Sequence, residues 1–135
     1  MACNSNNTCG AQPWFANLNE AALQNRNFRK VLWTGDHMQV TAMCIAPGCD
    51  IGLECHRETD QILCVAQGRC CVQLGDERDC LDCRRTLGAG CCCCIPAGTW
   101  HNICNTGCTP LKLFSIYAPP EHPPCTCQRT RADAD

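Results

Sequence analysis

Hydrophobic and polar positions follow a short-strand pattern along most of the chain. Segments rich in apolar and β-branched residues are brief, and turn-forming glycine or proline residues separate them. A series of short strands with regular turn signals is typical of an antiparallel sandwich or barrel, so the pattern predicts an all-β fold. We predict strands over 28–34, 38–45, 52–56, 61–67, 70–74, 91–95, 100–105 and 111–117.

The two ends of the chain break this pattern. A short helix is predicted over 19–25, with Asn19 as its N-cap and Leu18 and Leu23 as a hydrophobic staple. The proline-rich segment 118–124 excludes a helix or a central strand, and we expect the last residues, through Asp135, to be frayed. The chain is therefore divided into an N-terminal arm with a short helix (1–27), a β-barrel (28–118) and a Pro-rich tail (119–135).

Charge and hydropathy exclude several classes of partner. The net charge is -2 and the basic residues are scattered, which argues against a nucleic acid partner. No apolar run is long enough to cross a bilayer, so no membrane partner is predicted. The N-terminal residues lack the basic and apolar regions of a secretory signal, and we therefore expect a cytoplasmic protein.

The candidate chemistry lies in two patterned segments, each of which contains one of the chain's four histidines. Successive strand residues point to opposite faces, so Glu54 and His56 share a face, and Gln61 can return to it after a turn. His101 follows the bend at 96–98, and the four side chains can converge. Mixed imidazole and oxygen ligation suits Zn, Fe, Mn, Ni or Co, and two histidines with a carboxylate leave positions open for substrate or water. The patterns are Gly48-x5-Glu54-x-His56-x4-Gln61-x6-Gly68 and Gly90-x5-Pro96-x-Gly98-x2-His101-x3-Asn105.

These two patterns resemble the two sequence motifs of the cupin superfamily. The second matches every fixed position, whereas in the first Glu54 stands where the family usually has a histidine and Gln61 where it usually has a glutamate. The resemblance is to small single-domain bacterial cupins of the type labelled sugar-phosphate-isomerase-like. It implies a double-stranded β-helix (a jelly-roll barrel), a homodimer, and one divalent metal held by Glu54, His56, Gln61 and His101. A fold-level label carries no reaction, so whether the protein is an enzyme stays open.

The leading hypothesis is a metal-binding cupin that acts on a small polar metabolite. Glu54 and His122 are then candidate proton carriers. His122 lies in the Pro-rich tail, where a surface-loop histidine is the favoured interpretation over one that caps the barrel mouth. His37 is also interpreted as a surface residue.

Cysteine is the unusual component, with 18 in 135 residues. We favour reduced cysteines that pack as small apolar residues, with disulfides or thiolate metal sites as alternatives. A metallothionein-like protein that sequesters soft metals is a second function hypothesis, and a metal-free binding or assembly module is a third. The spacing of Cys80-x2-Cys83 and Cys91-x2-Cys94 suits zinc, but Cys91 and Cys94 fall on opposite faces of a predicted strand. Alternation also predicts three cysteines that point away from the metal ligands: Cys55, Cys64 and Cys104.

Overall fold

The structure, a computed structural model, describes residues 12–134. Its elements in chain order are α1 (Leu18–Gln24), β1 (Arg29–Thr34), β2 (Gln39–Ile45), β3 (Glu54–Cys55), β4 (Asp60–Gln67), β5 (Arg69–Gly75), β6 (Cys83–Gly88), β7 (Cys92–Ile95), β8 (Trp100–Asn105), β9 (Leu111–Ala118), β10 (Cys127–Gln128) and α2 (Arg131–Ala134).

The strands form two antiparallel sheets around one core. The larger sheet has the order β10-β1-β2-β9-β4-β7 and the smaller has the order β3-β8-β5-β6. Burial alternates along strands such as β8, where His101, Ile103 and Asn105 point inward. The apolar core is made by both sheets, and the predicted all-β double-stranded barrel is confirmed. Its buried members are Phe28, Met43, Ile45, Ile51, Leu63, Val65, Cys70, Val72, Ile103, Leu111 and Leu113.

The short helix α1 covers part of the outer face of the larger sheet, where Leu18 and Ala21 pack against Val40 and Ala42. It begins earlier than predicted, because the Asn17 side chain accepts the Glu20 N–H at 3.0 Å. The prediction of Asn19 as N-cap is therefore wrong. Among residues 12–134, neither helix has the length and apolar character needed to cross a membrane.

Two strands were missed in the sequence. β6 pairs with β5 along its whole length, but its residues 84–86 are exposed and give no apolar alternation. The tail also contains β10, in which Cys127 and Gln128 pair with β1. Within the described residues the expectation of a frayed end is wrong, because backbone bonds from Phe28 N to Arg129 O (3.1 Å) and from Val31 N to Thr126 O (2.8 Å) fix the tail to the barrel. Asp135, which the expectation also covered, lies outside the described residues.

The cysteines are more exposed than a packing role requires. Among the free cysteines of residues 12–134, Cys70 is buried, seven are half-buried and seven are exposed, so the packing interpretation is wrong for the exposed half. Cys125 is disulfide-bonded. The alternation argument is confirmed for three of them, because Cys55, Cys64 and Cys104 lie on the outer faces of their sheets, opposite Trp100, Cys92 and Cys71 respectively.

Candidate metal centre

The smaller sheet brings three of the four predicted ligands together. β3 pairs with β8 so that Glu54 lies directly opposite His101, on the inner face. His56 follows two residues after Glu54 and therefore points to the same side. One ligand atom from each of these residues lies within 4.8 Å of the others, and residues 12–134 contain no second such group of His, Cys, Asp or Glu.

The three ligand atoms converge on one point. Oε2 of Glu54 lies 3.3 Å from Nε2 of His56 and 3.8 Å from Nε2 of His101. Both Nε2 atoms are buried and neither makes a hydrogen bond of acceptable geometry. A buried polar atom without a partner carries a substantial desolvation cost, so the pair needs an explanation.

The hydrogen bonds at the Nδ1 atoms of the two rings explain why the Nε2 atoms lack partners. Nδ1 of His101 lies 2.9 Å from the Thr99 carbonyl, and Nδ1 of His56 lies 2.9 Å from Oε1 of Glu121. Both partners only accept, so each Nδ1 carries a hydrogen, and each ring presents an Nε2 lone pair when it is neutral. A histidine held in this way by a carboxylate or carbonyl is typical of metal ligands. Two lone pairs and a carboxylate oxygen directed at one point are the donor set that a divalent cation satisfies.

The local charges favour an ionised Glu54 and a neutral His101, but they favour the protonated ring at His56. Burial tends to raise the pKa of Glu54, but contact with His56 and the charge of Arg29 outweigh it and hold that pKa below its usual value. Burial lowers the pKa of His101. Burial also acts on His56, but Glu54 and Glu121 outweigh it and raise the pKa of that ring. At neutral pH Glu54 is thus an anion and His101 a neutral ligand, while His56 can exchange a proton for a metal.

Arg29 fixes the orientation of the Glu54 carboxylate by binding one of its two oxygens. The guanidinium, which is buried, donates from Nη2 to Oε1 of Glu54 at 3.1 Å and from Nη1 to Oε1 of Gln128 at 3.0 Å. The first bond occupies Oε1 and leaves Oε2 directed at the histidines. Sequence reasoning missed this role because the basic residues were considered only as scattered charges. The available signal was alternation, since Arg29 and its exposed neighbour Lys30 must point to opposite faces of β1.

Gln61, the fourth predicted ligand, lies on the larger sheet, whereas Glu54 and His101 lie on the smaller one. It is buried in β4 opposite Tyr117, and its Nε2 donates to Oγ of Ser115 at 3.2 Å. Its Oε1 is buried without a partner. The Tyr117 ring in turn makes an edge contact with the His56 ring, with centroids 5.6 Å apart. Ligation by Gln61 therefore stays a prediction.

His122 belongs to this site and not to the surface, so the surface-loop interpretation is wrong. Its ring makes an edge contact with Tyr117 at 5.2 Å, and its Nε2 is buried without a partner. Burial and the charge of Arg29 lower the pKa of His122 to about 4. The buried Gln39 side chain fixes the segment, because it donates to the His122 carbonyl at 2.7 Å and accepts the His122 N–H at 3.0 Å. These contacts join residues 83 positions apart, which no local pattern reveals.

Glu121 provides a prediction about the outer contacts of the site. Replacing Glu121 by alanine removes the acceptor that orients His56, and outer partners of this kind typically contribute about 10–100-fold in metal affinity. We expect a loss of that size in a competitive metal titration. Glu58→Ala is the matched control, because it removes an exposed carboxylate two residues after His56, and it should bind metal like the parent. Equal affinities for the two variants would contradict the orienting role of Glu121.

Comparison with known proteins places this geometry in a family. The sequence profile described as "Cupin domain" matches residues 41–117. The uncharacterized protein YrkC of Bacillus subtilis is 51% identical over 93% of this chain and 67% of its own length. The uncharacterized protein L612 of Acanthamoeba polyphaga mimivirus is 38% identical over 84% of this chain and 69% of its own. The crystal structure of BH2720 from Bacillus halodurans superposes with a TM-score of 0.91 at 50% identity, covering 93% of this chain and 95% of that one.

The matched range contains Glu54, His56, Gln61 and His101, whereas Arg29, Glu121 and His122 lie outside it. The residues that make hydrogen bonds to Glu54 and His56 thus come from segments that flank the family-matched range. Because the profile covers more than half of the chain and the relatives share up to 51% of its residues, this chain belongs to the cupin family.

Proposed function

We propose that this cupin binds one divalent transition metal through Glu54, His56 and His101, with Gln61 as a further oxygen ligand, and acts on a small polar metabolite. The observation that supports it best is the pair of buried, unpartnered Nε2 atoms that face Oε2 of Glu54. Zn, Fe, Mn, Ni and Co all accept this mixture of imidazole and oxygen ligands.

Three protein ligands leave room for an oxygen of a small molecule. When bound, a divalent metal at such a site polarises a ligand oxygen or lowers the pKa of a bound water. Solvent reaches the acidic side of the site, because the Glu54 and Glu121 side chains are 23% and 30% exposed while that of His101 is 1% exposed. A small polar molecule can therefore approach past the two carboxylates.

The chain supplies a proton acceptor beside that approach. In this proposal Glu54 is committed as a ligand, and proton transfer falls to His122. Its lowered pKa keeps the ring neutral at physiological pH, and its buried Nε2 has no hydrogen-bond partner, so the ring can act as a weak base. Burial of Tyr117 raises the pKa of its hydroxyl, which keeps that group protonated next to both histidine rings.

Metal sequestration by cysteine is the second candidate, and its support is the cysteine content of the chain. A thiolate cage needs three or four sulfur atoms at one point. Within the part of the chain that the structure describes, the converging group consists of Glu54, His56 and His101 and contains no cysteine. The geometry therefore favours one oxygen- and nitrogen-ligated metal over capture of several soft metals.

Metal stoichiometry with and without thiol alkylation separates the two functions. We expect about one metal per chain, measured by mass spectrometry after reconstitution, and no change after iodoacetamide blocks the exposed thiols. Several metals per chain that are lost on alkylation would support sequestration instead. The Co(II)-loaded protein also tests for an open position, because binding of a small hydroxy acid or dicarboxylate there should change its visible absorption bands. A spectrum unchanged by every such ligand would argue against a metabolite site.

A further inference from the structure

Three cysteines lie together on the outer face of the larger sheet, away from the metal centre. Cys64 of β4 lies directly opposite Cys92 of β7, and Cys94 lies two residues further along β7, opposite Ile62. Cys64 is half-buried, whereas Cys92 and Cys94 are exposed. Leu63, which precedes Cys64 on β4, is buried in the core. Because successive strand residues point to opposite faces, Cys64 and the facing Cys92, together with Cys94, point to the outer side.

The register of the two strands places Cys64 and Cys92 at a non-hydrogen-bonded position of the antiparallel ladder. Val65 N donates to Cys91 O at 2.9 Å, so the pair one step along the ladder is hydrogen-bonded. Because hydrogen-bonded and non-hydrogen-bonded pairs alternate, Cys64 and Cys92 occupy a non-hydrogen-bonded pair, in which the Cα atoms are about 4.5 Å apart and the side chains are closest. A disulfide needs Cα atoms roughly 4.4–6.8 Å apart and Cβ atoms about 3.5–4.5 Å apart, which this type of pair meets with little movement.

A second facing pair provides an internal comparison. Cys71 of β5 lies opposite Cys104 of β8, also on an outer face. There the Thr106 N–H donates to the Arg69 carbonyl at 3.1 Å, so the same alternation makes Cys71 and Cys104 a hydrogen-bonded pair. The side chains of such a pair stand further apart, and a disulfide requires more backbone movement.

We propose that Cys64 and Cys92 form a thiol–disulfide site that is oxidised by a low-molecular-weight disulfide. The site is separate from the metal centre, and neither proposal depends on the other. In this proposal Cys64 and Cys92 are oxidised, whereas the Cys71–Cys104 pair stays reduced under the same conditions.

The reaction consists of two exchanges in which atoms and electrons balance. The Cys92 thiolate attacks one sulfur of the small disulfide, a mixed disulfide forms, and the first small thiolate leaves and takes up a proton. The Cys64 thiol loses its proton to solvent and attacks Sγ of Cys92, and the second small thiolate leaves. Two protein thiols are thereby oxidised, and one small disulfide is reduced to two small thiols.

The surroundings assign the order of the two attacks. Cys92 is exposed and can meet the small disulfide first. Burial and the neighbouring Cys92 and Cys94 raise the pKa of Cys64, so this thiol acts second, once the mixed disulfide has formed beside it. Cys94 is equally exposed but faces Ile62, so a mixed disulfide at Cys94 lacks a directly opposite thiol to resolve it.

The chain can be tested intact, by treatment with oxidised glutathione, alkylation of the remaining thiols, trypsin digestion and mass spectrometry. Cleavage yields peptide 58–69, which contains Cys64 as its single cysteine, and peptide 86–112, which contains Cys92. We expect these two peptides to become disulfide-linked, and the link to disappear when dithiothreitol is added. Peptide 70–78, which carries Cys71, should remain alkylated at the same glutathione concentration.

Three serine variants make the result specific. Cys92→Ser should abolish the link, Cys64→Ser should leave glutathione attached to peptide 86–112, and Cys94→Ser should leave the link unchanged. Circular dichroism establishes that each variant retains its strands. A link that persists in Cys92→Ser, or full alkylation of Cys64 while Cys71 and Cys104 are already joined, would overturn the proposal.

Discussion

Replacing His101 by alanine is expected to remove the metal from the purified protein, from about one ion per chain to a trace. His101 is the most deeply buried of the three ligands, with a side chain 1% exposed, and its Nε2 has no other partner. Loss of a direct ligand should exceed the roughly 10–100-fold loss of affinity that removal of an outer partner causes. Metal content by mass spectrometry, after dialysis against a weak chelator, measures the effect.

Two controls separate ligation from a general loss of structure. His37→Ala changes an exposed histidine outside the site and should retain the metal. His56→Ala should reproduce the loss, because it removes a second member of the same three-atom group. A His56→Ala, His101→Ala double variant that still carries one metal per chain would refute the proposed centre.

Replacing Arg29 by methionine is expected to destabilise the metal-free protein by about 3 kcal/mol, since breaking a buried ion pair leaves an uncompensated charge. Arg29 is 4% exposed, and its partner Glu54 would keep a carboxylate without its cation. At this chain length the midpoint of thermal unfolding should fall by roughly 10 °C. The loss should be smaller with metal present, because a cation at Oε2 also neutralises Glu54.

A double-mutant cycle isolates that interaction. Glu54→Gln alone leaves Arg29 without its carboxylate, so the double variant Arg29→Met, Glu54→Gln should be more stable than the sum of the single effects predicts, by about 1–3 kcal/mol. Lys30→Met, at the exposed neighbouring position on the same strand, should change stability by less than about 0.5 kcal/mol. An additive cycle would show that the two side chains do not stabilise each other.

The arrangement of charges explains how an atypical ligand set can still serve a metal. By resemblance, the first motif of a typical cupin supplies a histidine where this chain has Glu54, and a glutamate where it has Gln61. The two differences compensate in charge, because one carboxylate is gained on β3 and one is lost on β4. The contact between Arg29 and Oε1 then gives the relocated carboxylate a fixed orientation.

The tail contributes more to the site than its composition indicates. Gln128 accepts a hydrogen bond from Arg29, Glu121 accepts one from His56, and His122 lies against Tyr117. These three residues belong to the segment that follows the family-matched range. The contacts that position Glu54 and His56 therefore include residues beyond the family-matched range.

The sequence by itself determined the barrel, most of its strands and three candidate ligands whose side chains converge. Alternation and turn residues are local properties, so β8 was predicted with its observed bounds and β2, β4 and β9 within one residue at each end. The same period of two placed Glu54 and His56 on one side and Cys55, Cys64 and Cys104 on the other. β6 was missed because exposed charged residues carry no such signal.

Only the tertiary structure decided which side chains orient those ligands. Arg29, Gln39 and Glu121 act across 25 to 83 residues of sequence, through hydrogen bonds that depend on how two sheets and a tail pack together. The same is true of the Cys64–Cys92 pair, because strand register decides whether two facing cysteines are close enough to react. Local patterns fix the face on which a residue lies, whereas its partner on that face depends on the pairing of distant strands.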